Sequence, residues 1–222
     1  MRNKLRELLK KTMPQLFVFI KGMILLYSSK SYLNKTGYMQ SVIEEKPLDF
    51  NGNPIPWMNF NVVDFLKERL TKEMNLFEYG SGFSTQFYAK NVKNVISIEH
   101  DKGWFEIISN QVPENCNVEY KNYSVDLRGG EYSLAIKDTD SKYNVIIVDG
   151  RDRVNCIKNS INNLAKNGVL ILDDSSRESY KNGFEFLAKN GFRHITFSGL
   201  KATGIKEDST TIFYKDGNCF GI

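Results

Sequence analysis

Carboxylates recur along this chain in or just after apolar runs: Glu78 within Leu76-Phe77-Glu78-Tyr79, Glu99 after Val95-Ile96-Ser97-Ile98, Asp149 after Tyr143 to Val148, and Asp173 with Asp174 after Val169 to Leu172. At the carboxyl ends of parallel strands such acids can accept the hydroxyls of a ribose, hold a substrate or ligate a cation. Converging on one pocket, they repel unless a cation or hydrogen-bond donors compensate them. The first belongs to Glu78-Tyr79-Gly80-Ser81-Gly82-Phe83-Ser84-Thr85, where an apolar run turns into glycines and then hydroxyl residues. Two glycines with a serine between them let the backbone approach a ligand that any Cβ would block, and Ser84 or Thr85 can cap the following helix. A lone Gly-x-Gly is equally an ordinary strand-to-helix turn. Glu99, about 20 residues past the first strand, tips the reading towards a cofactor on the turn, with the acid on its ribose.

Gly150-Arg151-Asp152-Arg153 adds two fixed positive charges and a third carboxylate behind Asp149. An arginine fork suits a carboxylate or phosphate on an acceptor, and internal salt bridging among Arg151, Asp152, Arg153 and the nearby acids is the alternative. His100 follows the ribose acid and suits adenine-side packing better than base catalysis.

The elements that must position these groups alternate. Strands are predicted at Leu76–Tyr79, Val95–Glu99, Asn117–Lys121, Tyr143–Val148, Val169–Leu172, Phe192–Phe197 and Thr210–Tyr214, with helices over Ser84–Lys90, Lys102–Gln111, Val154–Leu164 and Glu178–Lys189. Such alternation specifies parallel strands joined by crossover helices. Ahead of them a helix from Asn59 or Asn61 to about Leu70 is expected, preceded by an irregular connector from Lys46 to Trp57 that carries Pro47, Pro54 and Pro56. Trp57-Met58 can pack in the core or fold over a site mouth.

With 222 residues, 41% of them apolar, the chain can bury one substantial core. The expected division is a basic helical extension over residues 1–46 and a catalytic domain over 47–222. Cys116, Cys156 and Cys219 are far apart and odd in number, which suggests neither a disulfide framework nor a zinc site and fits a reducing cytoplasm. Residues 1–46 hold nine Lys/Arg against three Glu, a balance of +6, whereas the remainder holds 21 against 23, a balance of −2. Anionic partners are therefore expected at the N-terminus, and a chain-wide nucleic-acid surface is not.

With Glu78 before Gly80-Ser81-Gly82 and Glu99 ending the next run, residues 75–214 resemble the class I S-adenosylmethionine-dependent methyltransferases. The resemblance implies an α/β, Rossmann-like fold: a seven-stranded, mostly parallel sheet in the order 3-2-1-4-5-7-6 with helices on both faces, the seventh strand antiparallel. It also implies cofactor contacts at Glu78, Tyr79, Gly80, Ser81, Gly82, Ser84, Thr85, Glu99, His100 and Asp149, and a catalytic group of Asp149, Arg151 and Asp152. Thr85 stands where a pyrophosphate-binding motif has its third glycine, so a nicotinamide-dinucleotide oxidoreductase is the weaker reading. A non-catalytic binding protein of the same fold is another, and an aminopropyl transferase is disfavoured because the second acid pair of polyamine synthases is not evident.

Asp149 with Asp173-Asp174 resembles the ligand set of metal-dependent small-molecule and sugar O-methyltransferases, which implies magnesium or another divalent cation. The rival reading gives Asp149 hydrogen bonds to substrate or cofactor and leaves Asp173 and Asp174 capping helices. No Asn/Asp-Pro-Pro-Tyr/Phe follows the fourth strand, and no Pro-Cys nucleophile is present, so a hydroxyl of a small molecule or saccharide is the expected acceptor and nucleic acid is not.

Arg2, Lys4, Arg6, Lys10 and Lys11 precede two short apolar runs, Leu16–Ile20 and Met23–Tyr27, separated by Lys21-Gly22. Lys21 interrupts what would be the apolar core of a signal peptide, and the runs are too short to cross a bilayer as one uninterrupted helix. The segment is expected to pack on the catalytic domain or on a second subunit of a homodimer, or to attach peripherally to anionic lipid on the inner face of the membrane.

Overall fold

The computed structural model describes residues 2–222; the side chains of residues 2–5 and 127 lie outside that description, and with them the expectation for Arg2 and Lys4. The central strand β4 (Tyr143–Val148) shows how the sheet is built, because its side chains alternate between two buried faces. Val145 and Ile147 enter one apolar cluster, Ile146 and Val148 the other. A strand buried on both sides needs no polar face, which is why it reads as a continuous apolar run.

β1 (Asn75–Tyr79) pairs in parallel with β4 and with β2 (Asn94–Glu99), β2 pairs with β3 (Cys116–Tyr120), and β4 pairs with β5 (Leu164–Leu172). β7 (Glu207–Tyr214) runs antiparallel between β5 and β6 (Arg193–Leu200). The resulting order, β3-β2-β1-β4-β5-β7-β6, is the one the sequence implied. Tyr79 is level with Val148 and Ile98, and Val148 with Leu172. Gly80, Glu99, Asp149 and Asp173 therefore emerge together along one edge.

The first cluster is covered by α5 (Phe60–Arg69) and α6 (Phe83–Asn91), through Phe60, Val63, Leu66, Phe87 and Tyr88. Asn59 starts α5 by accepting a hydrogen bond from the Val62 amide at 3.1 Å. The second is covered by α8 (Glu131–Leu134), α9 (Arg153–Ser160) and α10 (Lys181–Lys189), through Tyr132, Cys156, Ile157 and Leu187. Between β2 and β3 lies α7 (Lys102–Ile108), capped by Asp101, whose carboxylate accepts from the Trp104 amide.

Four helices precede α5 and the connector leading to it: α1 (Arg2–Thr12), α2 (Pro14–Tyr27), α3 (Tyr32–Lys35) and α4 (Tyr38–Glu44). The connector after them contains a short bridge between Leu48 and Pro54, closed by Asp49, which accepts from the amides of Asn51 and Asn53.

Some boundaries differ from the sequence reading. The helix expected to reach Leu164 ends at Ser160, and β5 begins at Leu164 rather than Val169. An irregularity in the β4–β5 pairing separates these two parts of β5, and Gly168 sits there because a Cβ would lie 2.9 Å from the Tyr143 carbonyl oxygen. β6 and β7 extend to Leu200 and back to Glu207.

Candidate functional site

The two glycines after β1 serve different purposes. Gly80 has φ +94°, and a Cβ there would lie 2.9 Å from the Asp149 carbonyl oxygen, so the tops of β1 and β4 meet only over glycine. Gly82 has an extended backbone, and a Cβ there would meet nothing nearer than Trp104 Nε1 at 4.0 Å. Gly80 is needed for packing, while Gly82 leaves open space where a ligand can come close.

Beside the space over Gly82, which opens on a smaller cavity, lies a cavity of about 390 Å³ lined by Gly80, Ser81, Ser84, Glu99, His100, Trp104, Asp149, Gly150 and Arg151, among others. Glu99, 3% exposed, stands at the end of β2 as its inner wall. One of its oxygens accepts from the amide and hydroxyl of Ser81, at 3.0 and 2.8 Å. The other accepts from the amides of His100 and Asp101. His100 Nδ1 lies 2.9 Å from that second oxygen but out of line for a hydrogen bond, while its Nε2 accepts from Arg151 Nε at 3.2 Å. Arg151 thus rests on His100 at the cavity rim.

Glu78 is placed differently from Glu99. It is fully buried beneath the turn and accepts hydroxyl protons from Ser84 at 2.5 Å, Thr85 at 2.6 Å and Ser97 at 2.7 Å. Burial pushes its carboxyl up to about 7 against the opposing pull of these three donors. Thr85 also accepts from the Gly82 amide at 2.9 Å, so its side chain ties the turn down and does not face the cavity. α6 begins at Phe83, one residue ahead of the expected Ser84; the Ser84 hydroxyl goes to Glu78, while Thr85 caps the helix start through that bond from the Gly82 amide. Tyr79 also turns away, donating to the Ser133 carbonyl from within the second core cluster. The alternation of β1 directs it there, leaving Gly80, Ser81, Gly82, Ser84, Glu99, His100 and Asp149 as the expected cofactor residues that line open space.

Of the expected catalytic group, Asp149 lines the cavity and Arg151 its rim, but Asp152 is engaged elsewhere. Its left-handed backbone turns its carboxylate to the Gly129 amide, at 2.6 Å, and to Asn155. It lines a neighbouring cavity of about 520 Å³ with Tyr123, Arg128, Arg177 and Tyr180.

Asp149, Asp173 and Asp174 do come together, around a cation that belongs to the chain. Arg153 Nη2 lies 3.0 Å from Asp149 Oδ1 and 3.4 Å from Asp174 Oδ2, and the same guanidinium donates to the carbonyls of Gly150 and Asp173. Asp174 also pairs with Arg177 and, at 3.0 Å, with Lys201, which reaches Asp208 at 3.2 Å. Asp173 accepts from the Thr210 hydroxyl at 2.6 Å. Burial raises the Asp149 carboxyl to about 6, opposed by Arg153, and raises that of Asp173 well above its ordinary value, helped by Asp149. Asp174 is held below the usual carboxylate range by Lys201, Arg153 and Arg177, which outweigh its burial. Asp173, Asp174 and Asp208 bring ligand atoms within 4.8 Å of one another. Magnesium wants an octahedron of oxygens, whereas Arg153 already joins Asp149 to Asp174, Lys201 joins Asp174 to Asp208, and the Asp173 carboxylate takes the Thr210 hydroxyl. The donor set therefore does not fit a divalent ion.

Two aromatic residues join the site: Trp104, which was not legible as a site residue, and Trp57, which takes the site-mouth place that the sequence left open while Met58 packs in the core. Trp104 donates its indole N–H to the Ser81 carbonyl at 2.9 Å, and Trp57 donates to the Ala202 carbonyl, also at 2.9 Å. With Pro47, Phe83 and Asp149 they line a cavity of about 280 Å³ beside the first. For Trp104 the available signal was Asp101 three residues earlier, a helix cap that fixes where the indole starts.

No protein-family model matches this sequence, and no curated protein matches it. Solved structures match its fold. An rRNA methylase from Streptococcus thermophilus is 15% identical, with a TM-score of 0.51 over 68% of this chain and 92% of that one. An O-methyltransferase of Streptomyces achromogenes involved in tomaymycin synthesis, in complex with S-adenosylmethionine, is 14% identical, with a TM-score of 0.52 over 68% and 76%. An N-methyltransferase of Bradyrhizobium japonicum, in complex with S-adenosylhomocysteine, is 13% identical, with a TM-score of 0.50 over 82% and 99%. Because these proteins are an RNA, an O- and an N-methyltransferase, this likeness selects no acceptor. In strand order and architecture the chain has the Rossmann-like fold of the class I S-adenosylmethionine-dependent methyltransferases.

Proposed function

We propose that this protein is an S-adenosylmethionine-dependent methyltransferase acting on a hydroxyl of a small molecule or saccharide. The observation that carries the reading is the pairing of Glu99 with Ser81 across the carboxyl ends of β2 and β1, inside a cavity that adjoins the open space over Gly82. A carboxylate at that strand end suits two ribose hydroxyls, and the space left by Gly82 suits close approach of the amino-acid part of the cofactor. When bound, S-adenosylmethionine supplies an electrophilic methyl group on a positively charged sulfur. The chain's own part is to hold and orient. Asp149 lines both the first cavity and the aromatic one, so a hydroxyl lodged against Trp57, Phe83 and Trp104 has a carboxylate in reach to accept its proton. Positioning of this kind accounts for much of the barrier lowering in a displacement at carbon.

A nicotinamide dinucleotide suits the turn less well, since Thr85 occupies the third-glycine position and its hydroxyl is committed to Glu78 and Gly82. Calorimetric titration with S-adenosylhomocysteine and with NAD+ separates the two readings, and saturable binding of the dinucleotide alone overturns the proposal. Formation of S-adenosylhomocysteine is then followed over phenols, monosaccharides and nucleotide sugars, with RNA as the contrasting acceptor. Turnover on RNA alone removes the hydroxyl-acceptor part, and binding without turnover on any of them leaves a cofactor-binding protein.

A further inference from the structure

Helix α2 carries apolar side chains on every side, with Lys21 as its one charge, and none of its residues is buried. Ile24, Leu25, Leu26 and Tyr27 are consecutive and are 66%, 59%, 42% and 60% exposed. Successive helical residues are about 100° apart, so these four go right round the axis. Val18, Phe19 and Ile20 repeat the pattern one to two turns earlier. A partner helix covers a single stripe about 100° wide, so a second copy of this chain would leave most of these side chains in water. An apolar phase can surround them all.

The charges around this helix fit an anionic phase. Arg6, Lys10, Lys11, Lys21, Lys30 and Lys35 are exposed, and Glu7 is the only acid in residues 2–35. α1 packs on α2, with Leu9 meeting Phe17, Ile20 and Ile24 around a groove whose rim carries Arg6 and Lys21. By length and hydropathy the stretch Pro14–Lys35, 22 residues, could cross a bilayer. The backbone leaves the helix at Ser28, however, and the 14 residues of α2 span only about 21 Å of the roughly 30 Å of hydrocarbon. Tyr32 then donates to Asn61 at 3.3 Å, which ties the next helix to the catalytic domain. A helix that goes in but cannot reach the other side, with its next turn tied to the soluble domain, belongs in one leaflet.

We propose that α1 and α2 anchor this protein to the surface of an anionic bilayer, α2 inserting into one leaflet while the basic residues of α1 and of the α2 ends sit among head groups. The test is flotation of the full chain with vesicles of phosphatidylcholine alone or mixed with phosphatidylglycerol. The expected result is recovery with the anionic vesicles, at least tenfold weaker recovery with neutral ones, loss on the Ile24→Glu/Leu25→Glu pair and a tenfold drop on Lys10→Glu/Lys11→Glu. All four substitutions are at exposed positions, and an unchanged circular dichroism spectrum and melting temperature show that the variants fold. Equal recovery with both vesicles overturns the charge recognition. Absence from both, with a dimer in sedimentation equilibrium that Ile24→Glu/Leu25→Glu makes monomeric, overturns the anchor and makes α2 an interface between copies.

Discussion

Ser81 gives both its amide proton and its hydroxyl proton to a single carboxylate oxygen of Glu99, at 3.0 and 2.8 Å. The turn after β1 is thereby fastened to the end of β2 before any ligand arrives. A ribose has only to replace the Ser81 hydroxyl, keeping the amide contact that holds the acid in place.

Glu99→Gln should weaken S-adenosylhomocysteine binding about ten- to a hundredfold, since hydrogen bonds to a charged group contribute roughly 1.5–3 kcal/mol. Ser81→Ala, which removes a donor that the ligand displaces, should cost less than about fivefold. Calorimetry checks both, and wild-type affinity in Glu99→Gln removes the ribose assignment.

The two glycines of the turn should separate stability from binding. Gly80→Ala puts a Cβ at φ +94° against the Asp149 carbonyl and should lower stability by about 1–3 kcal/mol in urea unfolding. Gly82→Ala meets no steric obstacle in the fold and should unfold like the wild type while binding the cofactor more weakly. Equal effects of the two on stability would contradict this division of roles.

Arg153→Met strands Asp149 and Asp174 as neighbouring carboxylates without their shared cation, with an expected loss of about 3–5 kcal/mol. Arg153→Lys should fall between, because one ammonium cannot serve Asp149, Asp174 and the carbonyls of Gly150 and Asp173 together. Added magnesium or EDTA should leave the wild-type melting temperature unchanged. A saturable rise with magnesium that EDTA reverses would place an ion among these acids.

Glu78 should make stability fall as pH rises. Its carboxyl sits near 7 in the folded chain, against an ordinary value of 4.5, so between those values the folded state holds more protons than the unfolded one. The contribution is intact below about pH 4.5 and declines by about 3 kcal/mol by pH 7. Glu78→Gln should remove this slope. Unfolding curves at several pH values test the sign, and a wild type whose stability rises over that window, relative to the variant, contradicts it.

The strands and the edge on which Gly80, Glu99, Asp149 and Asp173 emerge were legible because buried parallel strands leave long apolar runs, each ending where the chain must turn, whereas the strand order came with the family resemblance. The direction of individual side chains was not. Tyr79 falls inside the motif but faces the core, and Asp152 follows Asp149 by three residues yet serves the Gly129 amide, because its backbone is left-handed. Nor could the spacing of Asp149, Asp173 and Asp174 say which cation they surround. Arg153 was visible as a charge, but its bridging of β4 and β5 depends on where α9 begins. Trp57 joins the site from a connector, through a contact 145 residues distant in sequence.

The guanidinium that joins Asp149 to Asp174 is part of the polypeptide and is present from synthesis onwards. Its charge cannot be chelated, exchanged for a heavier ion or lost when mineral supply runs low. The same neutralisation is met in iron- or magnesium-starved surroundings as in rich ones, and the cost is paid in nitrogen and in one fixed geometry.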